Sequence, residues 1–278
     1  MALTFIPEVW SAGILSSLKK AQVFTQPNVA NRNYEGEIRT QGDTVHIRSI
    51  SRPTISNYTK GAALSYETLT DADRTLLIDQ AKSFSFVVDD IDRAQQPGGA
   101  LEEATVEAAY GLRDAADQFI AAKYADVAAG NQIGTVSVTT AALAYTQMRK
   151  LAVVLDEANV PREGRWAIIP PWYHGLLLED DRFVRVDASG TSEGLRNGMV
   201  GRALGFDIMV SNNVVNTSGD DWAVMAGYPG AITFAEQIVE VETLRLQTTF
   251  GNAVRGLHVY GGKVVRPDAL ATVVASET

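Results

Sequence analysis

Few residues of this chain are suited to general acid–base or metal chemistry, and the histidines are the first to consider. There are three of them: His46, His174 and His258. None stands at metal-ligand spacing from another histidine or from a glutamate on a helix face. His46 and His258 lie in strand-like patterns, and His174 begins a helical pattern after two prolines. The prediction for each is a structural histidine that is satisfied by a hydrogen bond.

One catalytic hypothesis remains, a hydrolase in which His174 acts together with a nearby carboxylate. The candidate carboxylates form one run: Glu179, Asp180 and Asp181. Three adjacent side chains diverge, and a solvated helix end explains such a run without any chemistry. The hydrolase hypothesis therefore requires that these groups converge in one cleft of the folded protein.

A second acidic cluster consists of Asp89, Asp90 and Asp92, whose oxygens are the ligands that calcium prefers. The EF-hand pattern fails, because Ala94 and Gln95 occupy the positions of an oxygen ligand and of the turn glycine. A solvated turn is the prediction here. Dinucleotide, phosphate-loop and nucleophile-elbow patterns are also missing. The sequence thus predicts no catalytic, cofactor-binding or metal site and no enzyme.

Composition narrows the class of protein. The chain has 278 residues, of which 46% are hydrophobic and 21% charged, with a net charge of −9 and no cysteine. The lack of cysteine removes disulfides and thiolate chemistry, and the negative charge argues against a surface that grips nucleic acid throughout. No apolar run approaches a membrane span, and the first residues lack the basic region of a signal peptide. The length suits a large core in two lobes.

A long helix over about 99–129 organises the predicted fold. Its apolar side chains recur at three-, four- and seven-residue spacing and share one face: Leu101, Ala108, Leu112, Ala115 and Phe119. Asp117 falls with other charged residues on the opposite face. This length exceeds that of an average soluble helix. The sequence therefore predicts a spine across which the rest of the fold is laid.

Two segments lack an evident partner within the chain. The first is an N-terminal arm, with an amphipathic helix over 5–24 and a polar extension over 25–37, made basic by Lys19 and Lys20. The sequence leaves open whether the arm docks on its own core or on a neighbour. The second segment is the polar hairpin 51–70, which cannot bury much of itself and is marginal alone.

The remaining elements follow from alternation, helical spacing and turn residues. Strands are predicted over 43–50, 75–78, 83–88, 135–138, 166–169, 205–210, 222–225 and 239–249, and helices over 141–158, with Thr140 as the N-cap, and over 173–180. An exposed loop rich in Gly and Ser is expected at 187–198. Gly261 and Gly262 predict a hairpin turn between strands 257–260 and 263–265.

An ordered series of short segments resembles the major capsid proteins of tailed bacteriophages. The segments are Ile6–Trp10, Gly42–Val45, Phe86–Asp92, Gly205–Asp207 and Tyr260–Asp268. Each is weak alone, and their order along nearly the whole chain carries the resemblance. It implies an α+β protein of the Hong Kong 97-type phage capsid fold, which has an N-terminal arm, an extended loop, a peripheral domain with a long spine helix, and an axial domain.

The resemblance also implies domain boundaries. They are 1–37 for the arm, 38–140 and 241–278 for the peripheral domain, and 141–240 for the axial domain, with the extended loop at about 42–78 and the spine helix at about 99–129. The extended loop would carry the polar hairpin over a neighbouring subunit. Loop 187–198 would point towards the capsomer axis.

A capsid protein of this kind would self-assemble through hexamers and pentamers into the icosahedral shell around a double-stranded DNA genome. It would do so in the bacterial host cytoplasm and reside in the virion. The implied partners are further copies, a separate scaffolding protein, a portal protein and a decoration protein, with weak, non-specific contact to DNA and none to a membrane. The alternative is an encapsulin-like compartment shell.

Some members of this family cross-link a loop lysine to an asparagine. Lys60 is the only loop lysine near the corresponding region, and no matching asparagine or catalytic glutamate aligns with it. Such a bond also needs a lysine that loses its proton. No covalent cross-link is therefore expected.

Overall fold

Helices and sheets are mixed in this α+β protein, whose computed structural model describes residues 23–33, 44–50, 54–55, 57, 66–68, 71–89, 100–180, 201–246 and 251–278. Within them the helices are α1 (Ala100–Ala121), α2 (Ala141–Glu157) and α3 (Pro171–Glu179). The strands are β1 (Thr44–Ile50), β2 (Asp71–Leu77), β3 (Gln80–Asp89), β4 (Gln132–Ser137), β5 (Arg165–Ile169), β6 (Arg202–Ala203), β7 (Phe206–Val210), β8 (Asn216–Ser218), β9 (Asp221–Gly227), β10 (Ile232–Arg245), β11 (Gly251–Val264) and β12 (Leu270–Ser276). They form sheets of two, three and seven strands.

The seven-stranded sheet has the order β4-β12-β9-β5-β7-β6, with β8 paired to β9. It is mixed, because β12 runs parallel to β4 and β5 parallel to β7, whereas β9 is antiparallel to both β12 and β5. Strands β4 and β12 come from the ranges that the resemblance assigned to the peripheral domain. They nevertheless share this sheet with strands of the axial range.

Alternation along β5 divides the core into two layers. Ala167 and Ile169 pack with α2 and α3, whereas Trp166 and Ile168 pack with α1, β10 and β11. Helix α3 is fixed to α2 by Tyr173, whose hydroxyl donates to a backbone carbonyl of α2 at 2.7 Å. The sheet is therefore covered by helices on both faces.

The three-stranded sheet is antiparallel and has the order β10-β11-β3. Strands β10 and β11 have 14 residues each. Helix α1 lies across this sheet, where the ring of Phe119 meets Tyr260 edge-on with centroids 5.5 Å apart. Because β9 leads into β10 and β11 leads into β12, strands β10 and β11 project from the seven-stranded sheet as a long hairpin.

Strands β1 and β2 pair antiparallel over seven residues each, from Thr44 opposite Leu77 to Ile50 opposite Asp71. We call these two strands and the residues between them the ribbon. The predicted strand over 43–50 is confirmed. Most of the polar hairpin that was predicted between them lies outside the described residues.

The predicted hairpin turn at Gly261 and Gly262 is wrong, because both glycines lie inside strand β11. A Cβ atom on Gly261 would stand 2.4 Å from the carbonyl oxygen of Leu77, and one on Gly262 would stand 2.4 Å from Cδ1 of Ile120. No side-chain atom fits at such distances. The glycines admit the ribbon on one face of β11 and α1 on the other.

Helix α1 is shorter than its predicted range of about 99–129. The α-helix ends at Ala121 and tightens into a 3-10 helix over Ala122–Asp126. Val127 then adopts an extended conformation and packs into the core, which a continued helix would prevent. Asp117, predicted to face solvent, is buried. The prediction was therefore wrong about the helix end and about one of its faces.

The other predicted helices and strands are confirmed, with shifted boundaries. Thr140 caps α2 as predicted, since its side chain accepts from the backbone N–H of Leu143. Strand β10 begins at Ile232, ahead of its predicted start, and β12 was not predicted. Loop 187–198 and the predicted arm helix lie outside the described residues, except for Val23 and Phe24, which form a bend and a turn where a helix was predicted. No described helix has the combination of length and apolar character that crossing a bilayer requires.

Candidate assembly surfaces

The structure does not bring the hypothetical hydrolytic residues together. His174 is half-buried near the start of α3, and burial lowers the pKa of its imidazole. Glu179 ends the same helix and Asp180 is buried just beyond it. Five residues correspond to about 140° around a helix, and among the described residues burial alone accounts for the lowered pKa of His174, with no contribution from a carboxylate. Asp181 lies outside the described residues.

The other two histidines belong to strands. His46 on β1 stands opposite Thr75 on β2. His258 is buried, and its Nε2 lies 3.2 Å from Oε2 of Glu236, which confirms the structural prediction for this histidine. Of the second acidic cluster only Asp89 is described, at the end of β3. No group of three side chains that could hold a metal occurs in the part of the chain that the structure describes.

Residues 23–33, which we call the arm root, dock on the chain's own core. Phe24, Val29 and Ala30 are buried and share one cluster with α1, β5, β9 and β10. Asn31 adds a parallel bridge to β10. For this described part of the arm, the alternative that the sequence left open is decided in favour of the chain's own core.

A buried carboxylate holds the first end of the arm root. Oδ1 of Asp117 accepts from the backbone N–H groups of Val23 at 3.0 Å and of Phe24 at 2.8 Å. Its Oδ2 accepts from Nδ2 of Asn213 at 3.2 Å. Burial raises the pKa of Asp117, although these hydrogen bonds act in the opposite direction. Asp117 satisfies backbone donors here as an N-cap residue does for a helix.

An ion pair holds the second end of the arm root. Arg32 pairs with Glu236 of β10, donates to the carbonyl of Thr25 at 3.1 Å, and lies 5.4 Å from the ring centroid of Phe234. Burial acts to raise the pKa of Glu236, but the hydrogen bond with His258 and the charge of Arg32 outweigh it and lower the pKa. Removing one partner of such a buried pair is costly.

The contacts between the described residues of the ribbon and the body lie at the base of the ribbon. Leu76 and Ile78 are buried against β10 and β11. Lys263 donates to the carbonyl of Thr75 at 2.8 Å, and Arg74 donates to a backbone carbonyl just beyond β11. These contacts fix the direction in which the ribbon leaves the body.

The described residues near the tip of the ribbon are exposed. Ile55 and Tyr66 are each 93% exposed. The backbone N–H of Thr54 donates to the carboxylate of Glu67 at 2.9 Å, and this bond lowers the pKa of Glu67. Large apolar side chains that are this exposed are suited to burial against a partner.

A second exposed apolar feature lies on the long hairpin. The strand register aligns Leu244, Ala253 and Val87 across β10, β11 and β3, and we call these three residues the distal row. Val87 is 58% and Leu244 43% exposed. Two residues further along each strand, and so on the same face, Arg255 and Glu242 form an ion pair. By alternation along β11, the distal row lies on the face opposite to α1.

Sequence reasoning missed the arm-root contacts. Asp117 and Glu236 each interrupt an apolar stretch, which is the one signal that the sequence offered. A charged residue in such a position needs a partner if it is buried. The partners are Val23 and Phe24 in one case and Arg32 in the other, and they lie far away in the sequence.

Two solved structures of low sequence identity share the fold of this chain. The capsid structure of cyanophage P-SCSP1u is similar with a TM-score of 0.75 and 19% sequence identity, over 94% of this chain and 90% of that one. A virus-like particle from Pyrococcus furiosus is similar with a TM-score of 0.56 and 13% identity, over 96% and 98%. These two likenesses define the class of fold. No curated protein sequence matches the chain.

The family follows from closer matches. A family model described as phage capsid protein matches residues 54–273. A solved structure from Mycobacterium phage Che8 is 37% identical, with a TM-score of 0.78, over 91% of this chain and 90% of that one. The chain belongs to the phage capsid protein family.

Membership of this family decides the coarse function. The protein is a structural component of the virion capsid that self-assembles into the capsid shell. The resemblance to tailed-phage major capsid proteins is thereby confirmed, as is the α+β capsid fold.

Proposed function

We propose that this protein assembles through hexamers and pentamers into a closed icosahedral shell that encloses a double-stranded DNA genome. Assembly takes place in the bacterial host cytoplasm. The observation that carries the proposal is the ribbon, which is fixed at its base and carries the exposed side chains of Ile55 and Tyr66. In a shell of many copies, each ribbon finds a neighbour that its own chain does not supply.

The proposed organisation is that of the Hong Kong 97-type fold. The arm comprises 1–37, the peripheral domain 38–140 and 241–278, and the axial domain 141–240. We add β4 and β12 to the axial domain, because they are hydrogen-bonded into its sheet. Loop 187–198 points towards the capsomer axis in this arrangement.

Contacts between subunits form where the described chain leaves apolar side chains exposed. The ribbon reaches over a neighbouring subunit and buries Ile55 and Tyr66 there. Full burial of one large aliphatic side chain stabilises by about 1.5–3 kcal/mol. A shell repeats each contact many times, so a modest contribution per subunit suffices to hold the shell closed.

Further partners follow from the same proposal. A separate scaffolding protein, a portal protein and a decoration protein act with the shell. Contact with packaged DNA is weak and non-specific, because the net charge of −9 repels phosphate. Lys19 and Lys20 are the candidates for a basic inner surface, and changing both to Glu is expected to alter packaging or assembly. If the variant formed as many genome-filled particles as wild type, Lys19 and Lys20 would have no role as a basic inner surface.

Negative-stain electron microscopy tests the proposal directly. The protein is expressed alone and together with the neighbouring genes, and each sample is imaged after size fractionation. Closed shells, spirals or hexameric capsomers are expected. A protein that stays monomeric under every condition, including with its scaffolding partner, contradicts the proposal.

The identity of the enclosed cargo distinguishes the proposal from an encapsulin-like compartment shell. The likeness to a virus-like particle concerns the fold alone. Portal, terminase and tail genes beside the gene for this chain support genome packaging. A cargo-enzyme gene in that place supports the compartment.

A further inference from the structure

Two short connections join the long hairpin to the seven-stranded sheet. Residues 228–231 lead from β9 to β10, and residues 265–269 lead from β11 to β12. Three backbone hydrogen bonds of 2.8 to 3.2 Å link the two connections to each other. We call this pair of connections the neck. Because the neck is two chain segments wide, the tilt of the hairpin depends on what packs beside it.

The arm root packs beside the neck. Phe24, Val29 and Ala30 share their buried cluster with Ala231 of the neck and with Ile232, the first residue of β10. The same cluster contains side chains of β5 and β9 from the seven-stranded sheet and of α1. The apolar part of the arm root therefore fills the angle between the hairpin and the sheet.

Polar contacts attach the arm root to both sides of this angle. Towards the hairpin, Asn31 donates to the carbonyl of Ile232 at 2.8 Å and accepts from Phe234 at 3.0 Å, next to the Arg32–Glu236 pair. Towards the sheet, Nδ2 of Asn28 lies 3.6 Å from the sulfur of Met209 on β7. Asp117 joins the arm root to Asn213, shortly after β7.

We propose that the arm root is a wedge that sets the angle between the long hairpin and the seven-stranded sheet, and that this angle selects the diameter of the particle. The proposal rests on the proposed function, because a diameter exists only if the chain forms shells. It assigns Phe24 and Arg32 as positioning residues for shell geometry.

The length of the hairpin amplifies small changes at the wedge. Fourteen residues per strand span about 45 Å. The wedge lies one packing distance, about 10 Å, from the neck, so a shift of about 1 Å there moves the far end of the hairpin by about 4.5 Å. Packed cores resist gradual deformation and tend to change between discrete arrangements. A smaller wedge is therefore expected to give a second size class of particle.

The test compares Phe24→Ala, Phe24→Leu and Arg32→Lys with wild type and with Val153→Ala, a matched control on α2 whose side chain is 47% exposed. Particle diameters are measured by cryo-electron microscopy. Amide hydrogen exchange is measured on unassembled subunits. We expect the arm-root variants to shift the diameter distribution and to speed exchange at 228–231 and 265–269 by about tenfold, with no change in α2. The control keeps the wild-type diameter.

Each outcome decides the proposal. Arm-root variants that form particles of wild-type diameter overturn it, whatever their exchange pattern. Exchange that rises equally in α2 and the neck also overturns it, because that pattern reports a general loss of stability. If Phe24→Ala fails to fold, Phe24→Leu and Arg32→Lys provide the same comparison. A wild-type chain that forms no shells overturns the proposed function. In that case, exchange on unassembled subunits still tests the wedge, because faster exchange of the arm-root variants that is confined to the neck shows that the arm root holds the neck.

Discussion

The arm root is a segment of turns and the ribbon a pair of strands, and the two are stabilised in opposite ways. The arm root is buried, and carboxylates hold it at both ends, Asp117 at one and Glu236 at the other. The ribbon is bonded to the body at its base, while Ile55 and Tyr66 near its tip are exposed. The comparison indicates that one segment outside the main sheets stabilises the subunit, whereas the other is available to the assembly.

The difference lies in where the partner of each segment is found. The apolar side chains of the arm root are buried in the core of their own chain, so their loss should destabilise the single subunit. The exposed tip of the ribbon contributes little to the single subunit, so its loss should be felt only when copies meet. Folding and assembly are thus separable by mutation.

The largest effect on folding is expected from Arg32→Met, which leaves Glu236 buried without its cation. Breaking a buried pair in this way lowers the free energy of unfolding by about 3–5 kcal/mol. Urea denaturation of unassembled subunits measures it. The control is Arg162→Met, because Arg162 pairs with Asp156 but its side chain is 79% exposed, and exposed pairs contribute about 0–1 kcal/mol. If the two substitutions lowered the free energy of unfolding equally, the buried Arg32–Glu236 pair would stabilise the subunit no more than an exposed pair does.

The next largest effect is expected from Gly261→Ala at the base of the ribbon. The added Cβ would stand 2.4 Å from a backbone oxygen that cannot move freely, and such overpacking costs about 1–3 kcal/mol. Thermal unfolding checks this. Gly111→Ala is the matched control, since nothing lies within 4 Å of its Cβ position in α1 and a helical Gly→Ala change gains about 0.5–1 kcal/mol. A Gly261→Ala protein as stable as wild type would show that the base of the ribbon is loosely packed.

The dependence of stability on pH gives a smaller effect, which is specific to the arm root. The pKa of Glu236 is lowered from its ordinary value of 4.5. Its contribution is therefore fully present above pH 4.5 and is lost as the pH falls through the lowered pKa. The pKa of Asp117 is raised, so its protonation at low pH increases the free energy of unfolding, opposite to the effect of Glu236.

Glu236→Gln isolates the first of these two groups. Urea midpoints at pH 7 and pH 3.5 are expected to differ less in this variant than in wild type. If the wild-type protein instead became more stable from pH 7 to pH 3.5, and the Asp117→Asn variant did not, Asp117 would dominate the pH dependence.

The smallest effect on the subunit is expected from the tip of the ribbon. Ile55→Asp combined with Tyr66→Asp should change the free energy of unfolding by less than about 0.5 kcal/mol, yet reduce the yield of shells tenfold or more. Analytical ultracentrifugation measures the yield. Asn57→Asp is the control, because it adds charge at an exposed polar position of the same segment. A normal yield of shells from the double variant would contradict a role of Ile55 and Tyr66 in assembly.

Local patterns predicted the elements whose causes are local. Val45 and Ile47 alternate with polar residues and form β1, and Thr140 caps α2. The pair Gly261 and Gly262 was read as a turn, because turn chemistry and close approach by another segment require the same residue. Only the distant Leu77 and Ile120 distinguish the two cases.

The candidate surfaces were predictable to different degrees. The ribbon was predicted as a segment without support, since its polar composition is visible in the sequence. The arm root was not, because Asp117 appeared to belong to the solvent face of a long helix and Arg32 to a polar extension. Their burial follows from contacts that span 93 residues for Asp117 and 204 for Arg32. A charged residue that interrupts an apolar stretch is visible in the sequence, but it does not identify so distant a partner.

The position of β12 has a consequence for synthesis on the ribosome. This strand lies between β4 and β9 in the seven-stranded sheet, and Asn131, just before β4, donates to the carbonyls of Asp268 and Leu270. The first of these bonds spans 137 residues. A nascent chain that has emerged as far as β9 exposes an unpaired strand edge, which is prone to pair wrongly. A growing chain therefore becomes a subunit that can join others only after β12 has been synthesised and has paired with β4 and β9.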